Sequence, residues 1–172
     1  MGTRTLLRHV APLAAELFEA APPAGDPPRS WREGHTSEAA RALSAVIEGA
    51  WLVARIDGSV DRAESGLLAD AVSALTRGGF TSQDVDDVLD AAAAMLLREG
   101  LEARCLAVGA TLAERDAAQL GMRVLLAVAA VSDGVSIAER VAVRAIGAAA
   151  GLSDVELEAL RRETLAELAA PE

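Results

Sequence analysis

The sequence predicts an all-α fold, a compact helical domain of about seven or eight helices. Three observations predict it. Hydrophobic residues make up 52% of the 172 residues and much of that is alanine, with leucine and valine behind, while aromatics are only 2% and tyrosine is absent. Such a composition suits closely packed helices rather than strands, which favour β-branched and aromatic side chains and are poor in alanine. Apolar residues recur at three- and four-residue spacing along nearly every segment. Finally, two stretches of similar pattern, 45–75 and 120–150, each read as an apolar helix, an Asp-Gly turn and another apolar helix.

In order along the chain, 1–20 carries Leu6, Val10, Leu13 and Leu17 at helical spacing, interrupted by Pro12. It is predicted as an amphipathic helix kinked there. The segment 21–35, with Pro22, Pro23, Pro27 and Pro28, reads as a linker that also holds Trp31. The helical domain follows over 36–172. Its first helix has Leu43, Val46, Ile47 and Ala50 on one face and ends near 56. The next runs over about 62–77, stopped by Gly78 and Gly79. A third starts after Thr81 or Ser82 with Val85, Val88, Leu89 and Ala92 inward.

A connecting helix over about 100–115 places Cys105 on an apolar stripe with Leu101, Val108 and Leu112, the setting of a buried structural thiol. The segment 116–132 presents Leu120, Val124, Ala127, Val128 and Val131. The segment 137–150 is apolar almost all round apart from Arg140 and Arg144, which predicts a largely buried helix. Gly147 and Gly151 suggest a close helix crossing and a C-terminal stop. The last helix begins at Ser153, with Glu156 three residues on in capping-box spacing.

The two similar stretches extend further, to Gly79-Phe80-Thr81 and Gly151-Leu152-Ser153. They define repeat 1 over about 45–98 and repeat 2 over about 120–167, expected to pack about a pseudo-two-fold axis because each alone exposes an apolar face. The pattern D-G-x-[IV]-[SD]-x-x-E between apolar helices, seen in Asp57-Gly58-Ser59-Val60-Asp61-Arg62-Ala63-Glu64 and, one residue shorter, in Asp133-Gly134-Val135-Ser136-Ile137-Ala138-Glu139, resembles the tellurite-resistance TerB-like family. The N-terminal domain of DjlA-type co-chaperones is a related case. The likeness covers roughly 36–167. It implies an all-α, non-enzymatic domain of bacterial stress responses, acting as a sensing or docking module, with acidic residues suspected of binding metal.

The chemistry-bearing residues are mostly acids. Asp61 with Glu64, and Ser136 with Glu139, fit the first and fourth positions of a capping box, which accounts for both glutamates without a ligand. Asp57 and Asp133 lie where a helix ends, before Gly58 and Gly134. There a negative charge is mildly unfavourable, and an Asx turn is the structural explanation. The functional alternative is a divalent cation (Ca²⁺, Mg²⁺ or Mn²⁺) held by Asp57, Asp61 and Glu64, with a second site at Asp133 and Glu139. Asp84, Asp86, Asp87 and Asp90 form an acidic face, read either as solvated surface or as a docking face for a basic protein partner.

The net charge of −10 argues against nucleic acid and anionic membrane surfaces. All sixteen basic residues are arginine, so Schiff-base and phosphate-loop lysine chemistry are excluded, and one cysteine excludes an internal disulfide. His9 and His35 fall outside the repeats, and no Glu-x-x-His pair, phosphate loop or dinucleotide fingerprint is present. An acid–base enzyme built on paired carboxylates has no further sequence support. No apolar run is long enough to span a bilayer, and Arg8, His9, Glu16 and Glu19 interrupt any leader-like stretch, so a cytoplasmic, non-enzymatic protein is expected.

Overall fold

A computed structural model describes residues 38–56, 82–115, 117–131 and 136–169. Among the described residues the chain is entirely helical. The elements are α1 (Glu38–Arg55), α2 (Ser82–Glu99), α3 (Leu101–Glu114), α4 (Ala118–Val131), α5 (Ile137–Ala149) and α6 (Asp154–Ala169). The helices predicted at 1–20 and 62–77, the linker and Trp31 lie outside the described residues. So does Thr81, the position before the first residue of α2.

The core is built from the apolar stripes the periodicity marks. Ile47, Leu52 and Val53 of α1 meet Leu112 of α3 and Met122 and Leu125 of α4, all almost fully buried. Val85, Val88, Leu89 and Ala92 are the buried face of α2, as predicted. The helix α3 lies at the centre of the assembly and packs most extensively on α5, while α1 packs on α3 and α4. The helix α2 rests on α1 and α3; α6 rests mainly on α4 and more lightly on α5. The Trp51 ring is buried, with the Arg55 guanidinium carbon 5.1 Å from its centre, a cation–π contact that holds the end of α1.

The closest helix crossing joins α3 to α5. It is made by Gly109: a Cβ built there would stand 2.3 Å from the Ile146 carbonyl oxygen, 2.5 Å from the Ala149 Cβ and 2.9 Å from the Ala150 nitrogen. Gly147, the crossing residue the sequence suggests, faces a more yielding neighbour: a Cβ built there would stand 3.1 Å from Leu157 Cδ2 at the end of a side chain of α6. Gly151 does end α5, with φ +83°. The Leu152 amide donates to the Gly147 carbonyl and the Gly151 amide to the Ala148 carbonyl, closing a Schellman motif. Gly100 joins α2 to α3 in a single residue, at φ 84° and ψ 164°, a backbone conformation essentially confined to glycine. Its amide donates to the Leu96 carbonyl at 2.9 Å, and its carbonyl accepts from the Arg104 amide at 3.2 Å.

Two expectations are corrected. The helix α5 is not largely buried: Glu139, Ala142, Val143, Ile146 and Gly147 form its inner stripe, but Ile137 is 74% and Val141 63% exposed. Among the described residues its partners α1, α3, α4 and α6 contact the other sides, and the stripe with Ile137 and Val141 stays exposed. Leu101 likewise departs from the Cys105 stripe. It is 39% exposed, whereas Cys105, Val108 and Leu112 are buried, because position 101 is the first residue of α3 and lies beyond the reach of the core.

Candidate functional site

One concavity among the described residues follows from how α6 sits. Because it rests mainly on α4, a groove of about 580 Å³ opens between α5 and α6 with α4 as its floor. Leu126, Ala129 and Val143 with Leu157 and Leu165 make it apolar, and Arg140, Arg144 and Arg161 stand along it. Asp154 and Glu158 are the acids in the groove, so the lining carries one net positive charge in a chain of net charge −10. The Arg144 Nη2 donates to Asp154 Oδ2 at 2.6 Å, and Arg161 donates from Nε and Nη2 to the Glu158 carboxylate at 2.9 and 2.7 Å. Arg161 holds the Glu158 carboxyl below the usual carboxylate range. Both pairs are largely exposed, so each contributes little to stability and exchanges readily for another anion. Arg140 is exposed and has no acidic partner among the described residues.

Arg140 and Arg144 are visible in the sequence as the polar interruptions of an apolar helix. Their four-residue spacing puts them on one side of α5, about 6 Å apart along its axis. Arg161 carries no such signal, since α6 is rich in charge throughout. Beside this rim lie Ile137 and Val141 on α5, and on α6 Val155 is 80% exposed. The groove therefore joins an apolar floor, a cationic edge and a neighbouring apolar ridge.

Of the candidate metal ligands, Asp57, Asp61, Glu64 and Asp133 lie outside the described residues. Glu139 is described, and it is a capping residue. The Ser136 amide donates to its Oε2 at 2.7 Å, while the Glu139 amide donates to Ser136 Oγ at 3.1 Å. These are the two bonds of a capping box. Glu139 is only 3% exposed, so its carboxylate is held between the helix terminus and the core. No three His, Cys, Asp or Glu side chains converge among the described residues. Ser153 and Glu156 repeat the arrangement on α6: the Ser153 amide donates to Glu156 Oε2 at 2.8 Å and the Glu156 amide to Ser153 Oγ at 3.3 Å. The Ser153 hydroxyl and amide draw the Glu156 carboxyl below its ordinary pKa.

The acidic face lies on α2. Asp86 and Asp90 are exposed and unpaired among the described residues, and Asp87 is half-buried and accepts from Gln83 Nε2 at 3.0 Å. Asp84 is half-buried in the first turn and engaged by its surroundings. The four aspartates therefore divide, with Asp86 and Asp90 the exposed pair.

A second, shallower cleft of about 250 Å³ lies between α1, α2 and α3. Its prominent feature is an ion pair that the sequence did not reveal. Arg104 donates from Nε to Glu48 Oε1 at 2.8 Å and from Nη2 to Glu48 Oε2 at 2.9 Å, and its Nη1 reaches Glu99 Oε2 at 2.9 Å. The Arg104 and Glu48 side chains are 12% and 10% exposed. The Glu48 carboxylate pushes the Arg104 pKa up. Arg98 and Arg104 together draw the Glu99 carboxyl down. No local signal marks it: Glu48 falls on the side of α1 that carries Arg41 and Ser44, away from the Leu43, Val46, Ile47 and Ala50 stripe. Cys105 is buried next to this pair, and burial, with the Glu48 charge behind it, raises its thiol to about 11. Such a thiol is a packing group rather than a nucleophile.

No helix among the described residues is long and apolar enough to cross a membrane. No family model, no curated protein and no solved structure matches this chain.

Proposed function

We propose that this chain is a non-enzymatic helical docking module. It is of the TerB-like kind that its Asp-Gly repeats resemble, built from two helical repeats and acting as a scaffold in a cytoplasmic, bacterial stress response. The observation that carries the reading is the α4–α5–α6 groove. A 580 Å³ apolar cleft with three arginines along it, flanked by exposed Ile137 and Val141, has the parts of a protein-docking site: apolar anchor positions and arginines for orientation. Exposed apolar surface next to such a cleft is otherwise a liability.

The test is capture of a partner with the groove intact and spoiled. Val141→Glu and Arg140→Asp lie outside the core and should leave the helical circular dichroism unchanged. Each should abolish cross-linking to the bound protein. Cross-linking that survives both substitutions refutes the groove as the docking site.

The divalent-cation reading keeps Glu139 among the described residues, and there the carboxylate is already engaged by a backbone amide. Its test is a melt of chelator-treated protein with Ca²⁺, Mg²⁺ or Mn²⁺. An ion at a hundred times its dissociation constant adds about 2.7 kcal/mol to stability. A shift lost on Asp57→Asn with Asp133→Asn would establish the cation reading.

A further inference from the structure

The groove and the acidic face of α2 match one another. On α2 the exposed stripe runs Gln83, Asp86, Asp90, Ala94, Leu97, at the three- and four-residue spacing of one helix face. Its first half carries two carboxylates, Asp86 and Asp90, unpaired among the described residues. Its second half is apolar, with Leu97 90% exposed. Asp86 and Asp90 are four residues apart, as are Arg140 and Arg144. Both pairs therefore span about 6 Å along a helix axis. Beside the arginines lies an apolar floor of Leu126, Ala129 and Val143 for Ala94 and Leu97 to meet.

Within one chain the two surfaces belong to different neighbourhoods, since α2 rests on α1 and α3 while the groove is formed by α4, α5 and α6. We infer that the partner of the groove is a second copy of this chain, whose α2 stripe seats Asp86 and Asp90 against Arg140 and Arg144 and lays Leu97 on the groove floor. The inference rests on the docking reading and names the partner. The contact is heterologous, the stripe of one copy meeting the groove of the next, so it propagates into a ring or a chain of copies rather than closing as a two-fold dimer. Asp154 releases Arg144 at little cost because that pair is exposed to water. The chain's surplus of negative charge opposes assembly in general, so the arginine-lined groove is where an acidic copy is accepted.

Sedimentation velocity of the full chain across a concentration series at low and high salt tests this. The wild type should associate with rising concentration, and salt should weaken the association about tenfold by screening the Asp–Arg pairs. Arg140→Asp with Arg144→Asp should return the protein to monomer, and so should Asp86→Arg with Asp90→Arg. The variant carrying all four changes restores the complementarity with both signs reversed and should associate again. A merely structural effect of the substitutions would not produce that recovery. A wild type that stays monomeric overturns the inference, as does association that persists in the two double variants. The docking reading survives either result if a different protein still cross-links to the groove in a Val141-dependent way.

Discussion

Gly109→Ala is the sharpest probe of the packing described here. The new methyl would stand 2.3 Å from the Ile146 carbonyl oxygen, 2.5 Å from the Ala149 Cβ and 2.9 Å from the Ala150 nitrogen. Two of these are backbone atoms and the third is the first atom of a side chain, so no rotamer change can relieve them. The Ile146 carbonyl is also held, accepting from the Ala150 amide at 2.8 Å. Ordinary contact needs about 3.5 Å, so α3 and α5 must part by roughly 1 Å. That separation loosens the packing of Cys105, Val108 and Leu112 against Ala142, Val143 and Ile146. Overpacking of this sort costs about 1–3 kcal/mol, and a displacement of backbone against backbone belongs at the upper end. The better helix propensity of alanine offsets about 1 kcal/mol. The net loss is about 2 kcal/mol, a large share of the about 5–15 kcal/mol that holds a typical domain. It corresponds to a fall in Tm of roughly 4–8 °C for a chain of this size.

The matched comparison is Gly121→Ala. Its methyl would meet Leu112 Cδ2 at 2.8 Å and Cδ1 at 3.1 Å, both at the end of a flexible side chain. A small leucine readjustment and the gain in propensity should nearly cancel. Urea unfolding of both variants, followed by circular dichroism, decides the matter. Gly109→Ala should lower the midpoint well below that of Gly121→Ala. Equal midpoints, or a Gly109→Ala protein more stable than the parent, would refute the close crossing.

Four further outcomes are expected. Glu48→Gln leaves the Arg104 guanidinium half-paired in a cleft where its side chain is 12% exposed and should cost about 3 kcal/mol by urea unfolding, whereas Glu48→Leu with Arg104→Met together should be nearly neutral. Ser136→Ala removes the hydroxyl that accepts the Glu139 amide and should cost about 1 kcal/mol in the same assay. Glu99, Glu156 and Glu158 have folded pKa values below the ordinary 4.5. Their contribution is therefore complete above that value and is lost as pH falls through the lower, folded ones. The urea midpoint should be flat down to about pH 5 and decline below about pH 4. Cys105, raised from 9.0 to about 11, should resist thiol reagents at pH 8 until the protein is unfolded. Since the folded state keeps its proton, its contribution falls as pH climbs from 9.0 toward about 11.

Much of this architecture was legible in the sequence because helices announce themselves locally. The buried positions of α2, the stop at Gly151 and the boxes at Ser136 and Ser153 each depend on residues within one or two turns of one another. Terms of that range survive in a one-dimensional reading. What failed was non-local. The glycine at 109 sits mid-helix, where it only weakens helix propensity, and its purpose exists only once Ile146 and Ala150 are known to lie against it. Glu48 and Arg104 are 56 positions apart, and neither spacing nor composition pairs them. The burial of α5 was misjudged for a related reason. Its composition is apolar on nearly every side, but the arrangement of the helices that reach it decides which sides are covered, and among the described residues α1, α3, α4 and α6 leave Ile137 and Val141 open.

The same distinction explains why the functional surface was only half visible. Asp86 and Asp90 stand out as an acidic run, and a run of acids on a helix is ordinarily a solvated face. Arg140 and Arg144 stand out as exceptions in an apolar helix, and such arginines are ordinarily read as marking its outer side. Each observation is unremarked alone. Their equal four-residue spacing gains meaning only when the fold places one pair beside an open apolar floor and the other beside an exposed Leu97. Two half-sites on different faces of one chain that match between chains are the geometric requirement for heterologous assembly, and the proposed pairing of the α2 stripe with the arginine-lined groove would meet it.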